Sequence, residues 1–569
     1  MMRIPKISPA GGTGGGPSRI KYFLFCLLLA AGNHLFSQEV LHEKIFVHTD
    51  KNYYQTGDII WFRIYNVDEQ KLAPTNVSKL AYVEVLDSLN KPVLQAKIRL
   101  DSGSGNGSFM IPTAVATGTY VFRSYTNWMK NFGPESFFEK EIAVVNAASG
   151  KRAFKTSAAI LQRNTGSLPV EVRTDKQQYA KRQKVKLSIS SAPSADLSVS
   201  VYRIDSLVSE DPTDISVLLK KDGVVNIPEK FPFPPEYKGH FVNGRMISRN
   251  TRLPSKYVVG YLTVMDDANA FYNGRTDKEG KIKFLITKLN SCDSIIVQTH
   301  SYYDRDQQIE IESPFYDKYS EEKASIFSAV DEYPGTVLEQ SINAQVTQLY
   351  YQDKLNKYVI IKTDSTPFYM EEDMHYVLDD YTRFSKLEDV FREYIRPVGV
   401  TKRQGNFHLT VFTESNRYLL EREPLVLVDA VPVFDMNTLF TYDPLKVKTI
   451  DIVQSKYFRS GAVFPGIISL KTFRGRTDGQ MIDPNANVLA YEIVQKQRKF
   501  YSPSYDTPVS PHIPDFRSTL YWNPAVHSDS SGNAEVEFFT SDLEGEYVIK
   551  VQGLANKKAG TVSVRLFVR

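Results

Sequence analysis

What most constrains the fold is a succession of short apolar or alternating stretches cut by Gly, Pro, Asn and Asp, one unit of which recurs along the chain. Thr49-Asp50-Lys51-x-x-Tyr54 precedes Ile59-Ile60-Trp61-Phe62-Arg63-Ile64, and Thr174-Asp175-Lys176-x-x-Tyr179 precedes the alternating Val185-Lys186-Leu187-Ser188-Ile189. Period-2 runs of this length are strands buried on one face, and many of them separated by turn residues specify sandwiches. A turn device also recurs. Asp277-Lys278-Glu279-Gly280 and Asp529-Ser530-Ser531-Gly532 each open an alternating strand, and Gly118-Thr119-Tyr120 is echoed by Gly545-Glu546-Tyr547. In both turns Asp and Gly supply a tight reversal. The expected fold is mainly β, with four Ig-like sandwiches at 38–147, 167–231, 232–315 and 516–569.

Compartment and charge follow from the first residues and the cysteines. Arg3, Lys6, Arg19 and Lys21 precede or flank an apolar run from Tyr22 to Ala31, and Ser37 closes a polar end. That is the layout of a secretory signal over 1–37, with an apolar run well short of the ~20 residues a spanning helix needs. Cys26 follows Phe25 and precedes Leu27-Leu28-Leu29, which does not suit a lipid-attachment site. Cleavage after Ser37 takes those four basic residues and no acid, which removes the formal charge of +4. A balanced surface gives no electrostatic reason to expect nucleic acid as a partner. The mature chain keeps Cys292 alone, so no intrachain disulfide forms. No second apolar run reaches spanning length, and stability is expected to come from packed cores.

The middle of the chain departs from the sandwich pattern. Residues 316–378 read as a helical or irregular connector in which Leu338, Ile342, Val346 and Leu349 mark one helix face. A helix is expected over 385–395. Ser385-Lys386-Leu387-Glu388 forms its capping box, and Leu387, Val390, Phe391, Tyr394 and Ile395 make its apolar stripe. The apolar strand Leu425-Val426-Leu427-Val428 then runs into the turn Asp429-Ala430-Val431-Pro432, followed by Val447-Lys448-Thr449-Ile450-Asp451-Ile452-Val453 and Ile467-Ile468-Ser469-Leu470. Residues 476–515, with Pro484, Pro503, Pro508, Pro511 and Pro514, read as a linker that wraps over its neighbours.

No catalytic constellation emerges. The nine His form no His-Glu-x-x-His, and His42 and His48, which share strand parity without a third ligand, read as surface imidazoles. There is no Gly-x-Ser-x-Gly elbow, and Gly103, Gly105 and Gly107 lie in a hairpin loop rather than between a strand and a helix. Adjacent acids such as Asp266-Asp267, Glu371-Glu372 and Asp379-Asp380 read as solvated charge. Asp277 with Glu279, or Asp529 with Ser531, has thin calcium-ligand spacing that turn geometry alone explains. No catalytic, cofactor or metal residue is assigned.

Several resemblances organise these readings. Phe46-Val47-His48-Thr49-Asp50-Lys51-Asn52-Tyr53-Tyr54 is similar to the entry of a macroglobulin domain of the alpha-2-macroglobulin family, and the third sandwich resembles the regulatory β-domain found beside carboxypeptidases. Residues 379–475 resemble the plug domain of TonB-dependent outer-membrane receptors, with Ala430 where that pattern has Gly. The whole resembles a group of exported Bacteroidetes proteins without a settled activity. Asp87-Ser88-Leu89, Asp205-Ser206-Leu207, Asp293-Ser294-Ile295 and Asp364-Ser365-Thr366 resemble the O-glycosylation acceptor of such proteins, which makes Ser88, Ser206, Ser294 and Ser365 candidate acceptors.

The resemblances imply a non-enzymatic scaffold or interaction component in the periplasm or at the outer membrane. Its partners would be envelope proteins, an outer-membrane barrel among them, met through the turn Asp429, Ala430, Val431 and Pro432. An accessory role in TonB-dependent uptake is the finer form. The family's covalent trap needs Cys-Gly-Glu-Gln, whereas here the sequence is Cys292-Asp293-Ser294-Ile295. Thioester-free protease binding, with 478–515 as the cleavable loop, is therefore the alternative. A hydrolase with an unrecognised site comes third.

Overall fold

Strand Ile59–Asp68 is buried at all ten of its positions, which explains why its sequence runs apolar without alternating. One face, Ile60, Phe62 and Ile64, belongs to a core with Ala81, Val83, Val85 and Phe122 of the facing sheet. The other face meets a second sandwich, where Trp61 clusters with Trp522. The computed structural model describes residues 41–148, 168–219, 227–266, 268–320, 334–361, 364–412, 423–477, 479–506, 512–555 and 557–569. The leader, most of the stretch between the first two expected sandwiches (149–167), and Asp267, Pro508 and Pro511 lie outside these.

The first sandwich pairs Glu43–Thr49, Ile59–Asp68, Ala73–Pro74 and Ser104–Met110 against a sheet of Tyr53–Gln55, Phe138–Val145, Gly118–Tyr125, Leu80–Leu86 and Pro92–Arg99. The second departs from expectation. The segments 167–231 and 516–569, read as two sandwiches, build one. Lys184–Ser190 pairs with Asn533–Phe539, and Asp196–Ile204 lies between Thr519–His527 and Gly545–Ala555. Val185, Leu187, Ile189, Val199 and Val201 share a core with Val536, Phe538, Ile549 and Val551. Alternation tells which residues face inward but not which distant strand lies alongside, so two half-sandwiches looked like two wholes.

The third sandwich faces Lys281–Ile286, His240–Ser248 and Gln307–Ile311 against Ala270–Arg275, Val259–Met265 and Ser294–Gln298. Asn487–Ala490, from the segment expected to wrap, completes the latter sheet beside Ser294–Gln298. The same segment then fastens to the first sandwich, where the Gln495 amide accepts from Ser108 N at 2.9 Å and donates to Ser108 O at 2.8 Å.

An α/β unit fills residues 374–472. Its sheet runs Met374–Val377, Val447–Val453, Ile467–Thr472, Leu425–Val428 and Val431–Pro432, with Leu425–Val428 parallel to Ile467–Thr472. There are three α-helices among the described residues. The first, α1, is Pro334–Leu355; α2 (Leu387–Glu393) and α3 (Met436–Phe440) belong to the α/β unit. Helix α2 is shorter than the stretch expected at 385–395. Lys386 holds the cap position without a side-chain cap hydrogen bond, so the Ser385 box does not form, while Leu387, Val390, Phe391 and Ile395 are buried as expected.

These units are nested. The chain leaves the second sandwich after Ile204 and returns at Thr519–His527; within that excursion the third sandwich opens at His240–Ser248 and closes with Asn487–Ala490; within that, the α/β unit is built. Charges are buried where the first two sandwiches meet. Lys140 Nζ lies 2.7 Å and Lys550 Nζ 3.3 Å from Asp211 Oδ2. Burial pushes the Asp211 carboxyl up, but the two ammonium groups outweigh it and hold the pKa well below the usual range. His48 and His42 are buried, not on the surface as expected. His48 Nδ1 is 2.6 Å from Ser198 Oγ across this interface, and His42 Nδ1 is 2.5 Å from Glu69 Oε2.

Candidate protein-interaction surface

Helix α1 carries the stripe Leu338, Ile342, Val346 and Leu349, and an apolar stripe normally packs inward. Here it faces out: Leu338 is 60% exposed, Ile342 49% and Leu349 77%. The inward flank is mostly polar. Gln340 Nε2 donates to Asp205 Oδ2 at 2.7 Å while its Oε1 accepts from Gln55 at 2.9 Å, and Gln348 Nε2 donates to Gly57 O at 2.7 Å. Arg203 reaches Glu339 at 3.3 Å. Two apolar anchors complete the docking. Val337 enters a cluster with Tyr53, Val145, Tyr202 and Leu207, and the Tyr351 ring lies 5.4 Å from that of Tyr501. A cavity of about 110 Å³ lies against this flank, lined by Lys51, Asp58, Gln340, Thr347 and Arg517 among others.

The chain leaves α1 as an extended strap, residues 357–361. Val359 N donates to Gln497 O and Lys499 N to Lys357 O, both at 2.8 Å, which pairs Tyr358 with Arg498 in antiparallel register. The Arg498 guanidinium donates to Leu355 O at 2.6 Å and to the Tyr358 hydroxyl at 3.0 Å. Side chains of the strap are nonetheless open. Tyr358 is 43%, Val359 45%, Ile360 97% and Ile361 53% exposed. Together α1 and the strap expose a concentration of large apolar side chains within residues 338–361, the kind of patch that marks a contact site.

The expected interaction turn is placed otherwise. Asp429 and Ala430 both take positive φ, 47° and 67°, and join Leu425–Val428 to Val431–Pro432 as a two-residue hairpin. Asp429 accepts from Thr472 N at 2.8 Å and from Thr472 Oγ1 at 2.6 Å. The third sandwich binds the hairpin from outside, with Thr263 Oγ1 donating to Ala430 O at 3.0 Å and Gln298 Nε2 to Pro432 O at 3.1 Å. Asp429, Val431 and Pro432 are buried and Ala430 is half-buried.

Each candidate acceptor serine follows an aspartate with its own structural employment. Asp87 Oδ1 accepts from Leu89 N and Lys91 N, both at 2.9 Å, leaving Ser88 exposed at a hairpin tip. Asp205 Oδ1 accepts from Leu207 N and Val208 N beside the exposed Ser206, and Asp364 Oδ1 from Thr366 N beside the exposed Ser365. Ser294 begins a strand and is half-buried. The calcium candidates are turns of the same type. Asp277 Oδ1 accepts from Glu279 N and Lys281 N, and Asp529 Oδ1 from Ser531 N and Asn533 N. Cys292 is buried, donates to Tyr491 O at 3.0 Å, and has its pKa pushed up to about 11 by burial, which makes it an inert thiol.

One cluster escaped sequence reading. Strand pairing sets His375 opposite Asp451, with His375 Nδ1 2.6 Å from Asp451 Oδ1 and 3.5 Å from Glu372 Oε1. These three could hold a metal ion by proximity. However, Asp451 Oδ2 already takes the Tyr369 hydroxyl at 2.7 Å and Lys471 Nζ at 2.9 Å, and the ammonium would oppose a cation. The partners are some 80 residues apart in sequence, so no local motif announces them.

No family model matches the chain, and no curated protein does. Among solved structures it is similar to bacterial alpha-2-macroglobulins. The Salmonella protein reacted with methylamine overlaps with a TM-score of 0.24 at 8% identity, over 92% of this chain and 39% of that one. The native E. coli protein gives 0.25 at 10% identity over 93% and 40%, and the E. coli protein activated by porcine elastase 0.25 at 10% over 93% and 44%. The chain thus spans about two fifths of the length of these structures. Likeness at that level assigns neither family nor activity.

Proposed function

We propose that the chain is a non-enzymatic, exported scaffold of the cell envelope, whose contact surface is α1 and the strap that follows it. One observation carries this reading: α1 docks by glutamines and presents its leucines and isoleucine to solvent. Among the described residues no helix is long and apolar enough to cross a membrane, so the stripe is not part of a helical span. A photo-crosslinking side chain placed at Leu349, with exposed Lys278 as control, tests the reading in native envelope extracts. A discrete adduct from position 349 alone supports it; free monomer at both positions overturns it.

The finer form, an accessory to TonB-dependent uptake working through 379–475, needs a surface other than the Asp429–Pro432 hairpin, which Thr263 and Gln298 already bind. Deleting 379–475 in the same crosslinking experiment tests that form. Protease binding without a thioester is the second reading, in line with the alpha-2-macroglobulins among the similar structures. Its cleavable loop would be 478–515, which is pinned at Asn487–Ala490, Gln495 and Arg498. Cleavage by trypsin or elastase confined to that segment, with the protease retained, would favour it.

A further inference from the structure

The strap has two edges and uses one. In its antiparallel pairing, Lys357 and Val359 turn their backbone groups toward the 497–499 segment. Residues 358 and 360 therefore turn theirs the other way, and the backbone of Ile360 makes no hydrogen bond among the described residues. An uncovered edge bearing isoleucine is a template for strand pairing, and exported proteins that keep one exposed risk self-association. The charges beside it have one dominant sign. Lys354, Lys357 and Lys499 are exposed and make no ion pair among the described residues; Asp353 adjoins Lys354 in sequence. The strap also borders a cavity of about 510 Å³, lined in addition by Asn106, Asn290, Gln497 and His527, where alternate side chains of an incoming strand have room. The same cavity is lined by Asp101, paired with Arg99, and by Asp266 as well as by Arg63 and Lys496.

From the open edge, its apolar side chains and the lysine rim, we infer that residues 357–361 take up an extended segment of a partner protein as an added strand, with apolar residues at alternate positions and acidic residues at its ends. This rests on the reading of α1 and the strap as the contact surface and names the chemistry of what binds there. A strand fits better than a lipid surface, because unpaired N–H and C=O groups are costly in hydrocarbon and are satisfied by another backbone.

The test uses the full-length protein and a labelled peptide of alternating valine and threonine with two aspartates at each end. Two control peptides go with it: one with lysines in place of the aspartates, and one N-methylated at alternate backbone nitrogens. The aspartate peptide is expected to bind at least tenfold more tightly than either, and Ile360→Pro, which deletes the donor at an exposed site, should abolish binding without lowering Tm. Lys354→Glu/Lys357→Glu/Lys499→Glu should reverse the preference between the two charged peptides. Equal binding of the N-methylated peptide would overturn strand addition. So would binding to phosphatidylglycerol vesicles without peptide binding, which would assign the rim to lipid. If no peptide binds, the lysines serve only to guard the edge, and the inference falls. An adduct at Leu349 alongside a silent strap would then leave the scaffold reading standing, whereas silence in both experiments would remove both.

Discussion

The hydroxyl of Tyr54 donates to Asp50 Oδ1 at 2.8 Å, and Tyr179 repeats that bond to Asp175 Oδ1 at the same distance. In each copy the carboxylate also accepts a backbone N–H from the following strand, Trp61 in one and Lys186 in the other. The recurring Thr-Asp-Lys-x-x-Tyr is therefore a clamp that ties the turn to the strand after it. The copies differ in surroundings. Asp50 is fully buried, takes Thr519 Oγ1 on its second oxygen, and has its pKa raised by burial to about 6. Asp175 is largely in solvent, where the small cost of burial is outweighed by the Lys186 N–H and the Tyr179 hydroxyl, and its pKa falls.

The two aspartates should therefore pull stability in opposite directions with pH. Asp50 has a folded pKa above its unfolded one, so its contribution is complete below the ordinary value of 3.8 and is lost as pH rises through about 6. A shift of that size is worth roughly 3 kcal/mol. Asp50→Asn, which keeps the acceptor for Trp61 and Tyr54, should stabilise the protein at pH 8 and leave it nearly unchanged at pH 4. Asp175, with its pKa depressed, contributes above 3.8 and loses that contribution as pH falls, so Asp175→Asn should destabilise at pH 8. Urea titrations at both pH values check both signs.

His48 should oppose Asp50 on the acid side. Burial, reinforced by Lys550, lowers its pKa well below 6.5, so the neutral ring contributes stability above 6.5 that is lost as pH falls below it. His48→Gln should flatten the decline in urea midpoint between pH 7 and pH 5. An unchanged slope would place the acid sensitivity elsewhere.

The inverted helix predicts an inverted mutational pattern. Val337→Asp puts a charge among Tyr53, Val145 and Tyr202 and should cost about 2–4 kcal/mol. Leu349→Asn changes an exposed position and should stay within about 0.5 kcal/mol. Chemical denaturation separates these outcomes. A large loss at Leu349 would mean the stripe is covered within the folded chain.

Two tyrosines act as corner pins. Tyr547 donates to Leu543 O at 2.9 Å and Tyr120 to Ala116 O at 2.7 Å, each four residues back along the chain. Tyr547→Phe, at a fully buried site, should cost about 1–2 kcal/mol by leaving an acceptor unpaired. Thermal unfolding monitored by circular dichroism would show it.

Ala430 sits at φ 67° in a hairpin whose partner residue, Asp429, is also left-handed. A β-branched side chain there is strained by about 1–3 kcal/mol, so Ala430→Val should lower stability while Ala430→Gly raises it modestly. Equal stabilities would show that the turn changes its conformation to accommodate the side chain.

Local features were legible in the sequence because their causes are local. The Asp277 and Asp529 turns close on backbone groups two and four residues on, and the Gly-x-Tyr echo proved to be the tyrosine pin repeated. The periodicity of α1 was legible too, but a stripe does not say whether protein or solvent faces it, and the glutamines on the opposite flank carried no readable signal. His48 could not be recognised as buried because Ser198 and Trp522 reach it from units far along the chain. The pairing of Lys184–Ser190 with Asn533–Phe539 was beyond reach for the same reason. Ala430 stands where the plug pattern has Gly, and the backbone nonetheless keeps the tight hairpin and tolerates the methyl group.

The nesting of the units sets an order of assembly. On a ribosome, or during passage through a membrane as an unfolded thread, Glu171–Thr174 through Asp196–Ile204 emerge long before Thr519–His527 and Gly545–Ala555, the strands that flank and close them. Once the first sandwich has its last strand at Phe138–Val145, the innermost α/β unit is the next to have all its partners, the third sandwich follows, and the second sandwich comes last, with half its edges waiting throughout. Such long-range closure is slow and leaves strands open to wrong neighbours. Loss of the hairpin Gly545–Ala555 with Lys558–Val568 would therefore leave unclosed a sandwich begun at Glu171–Thr174.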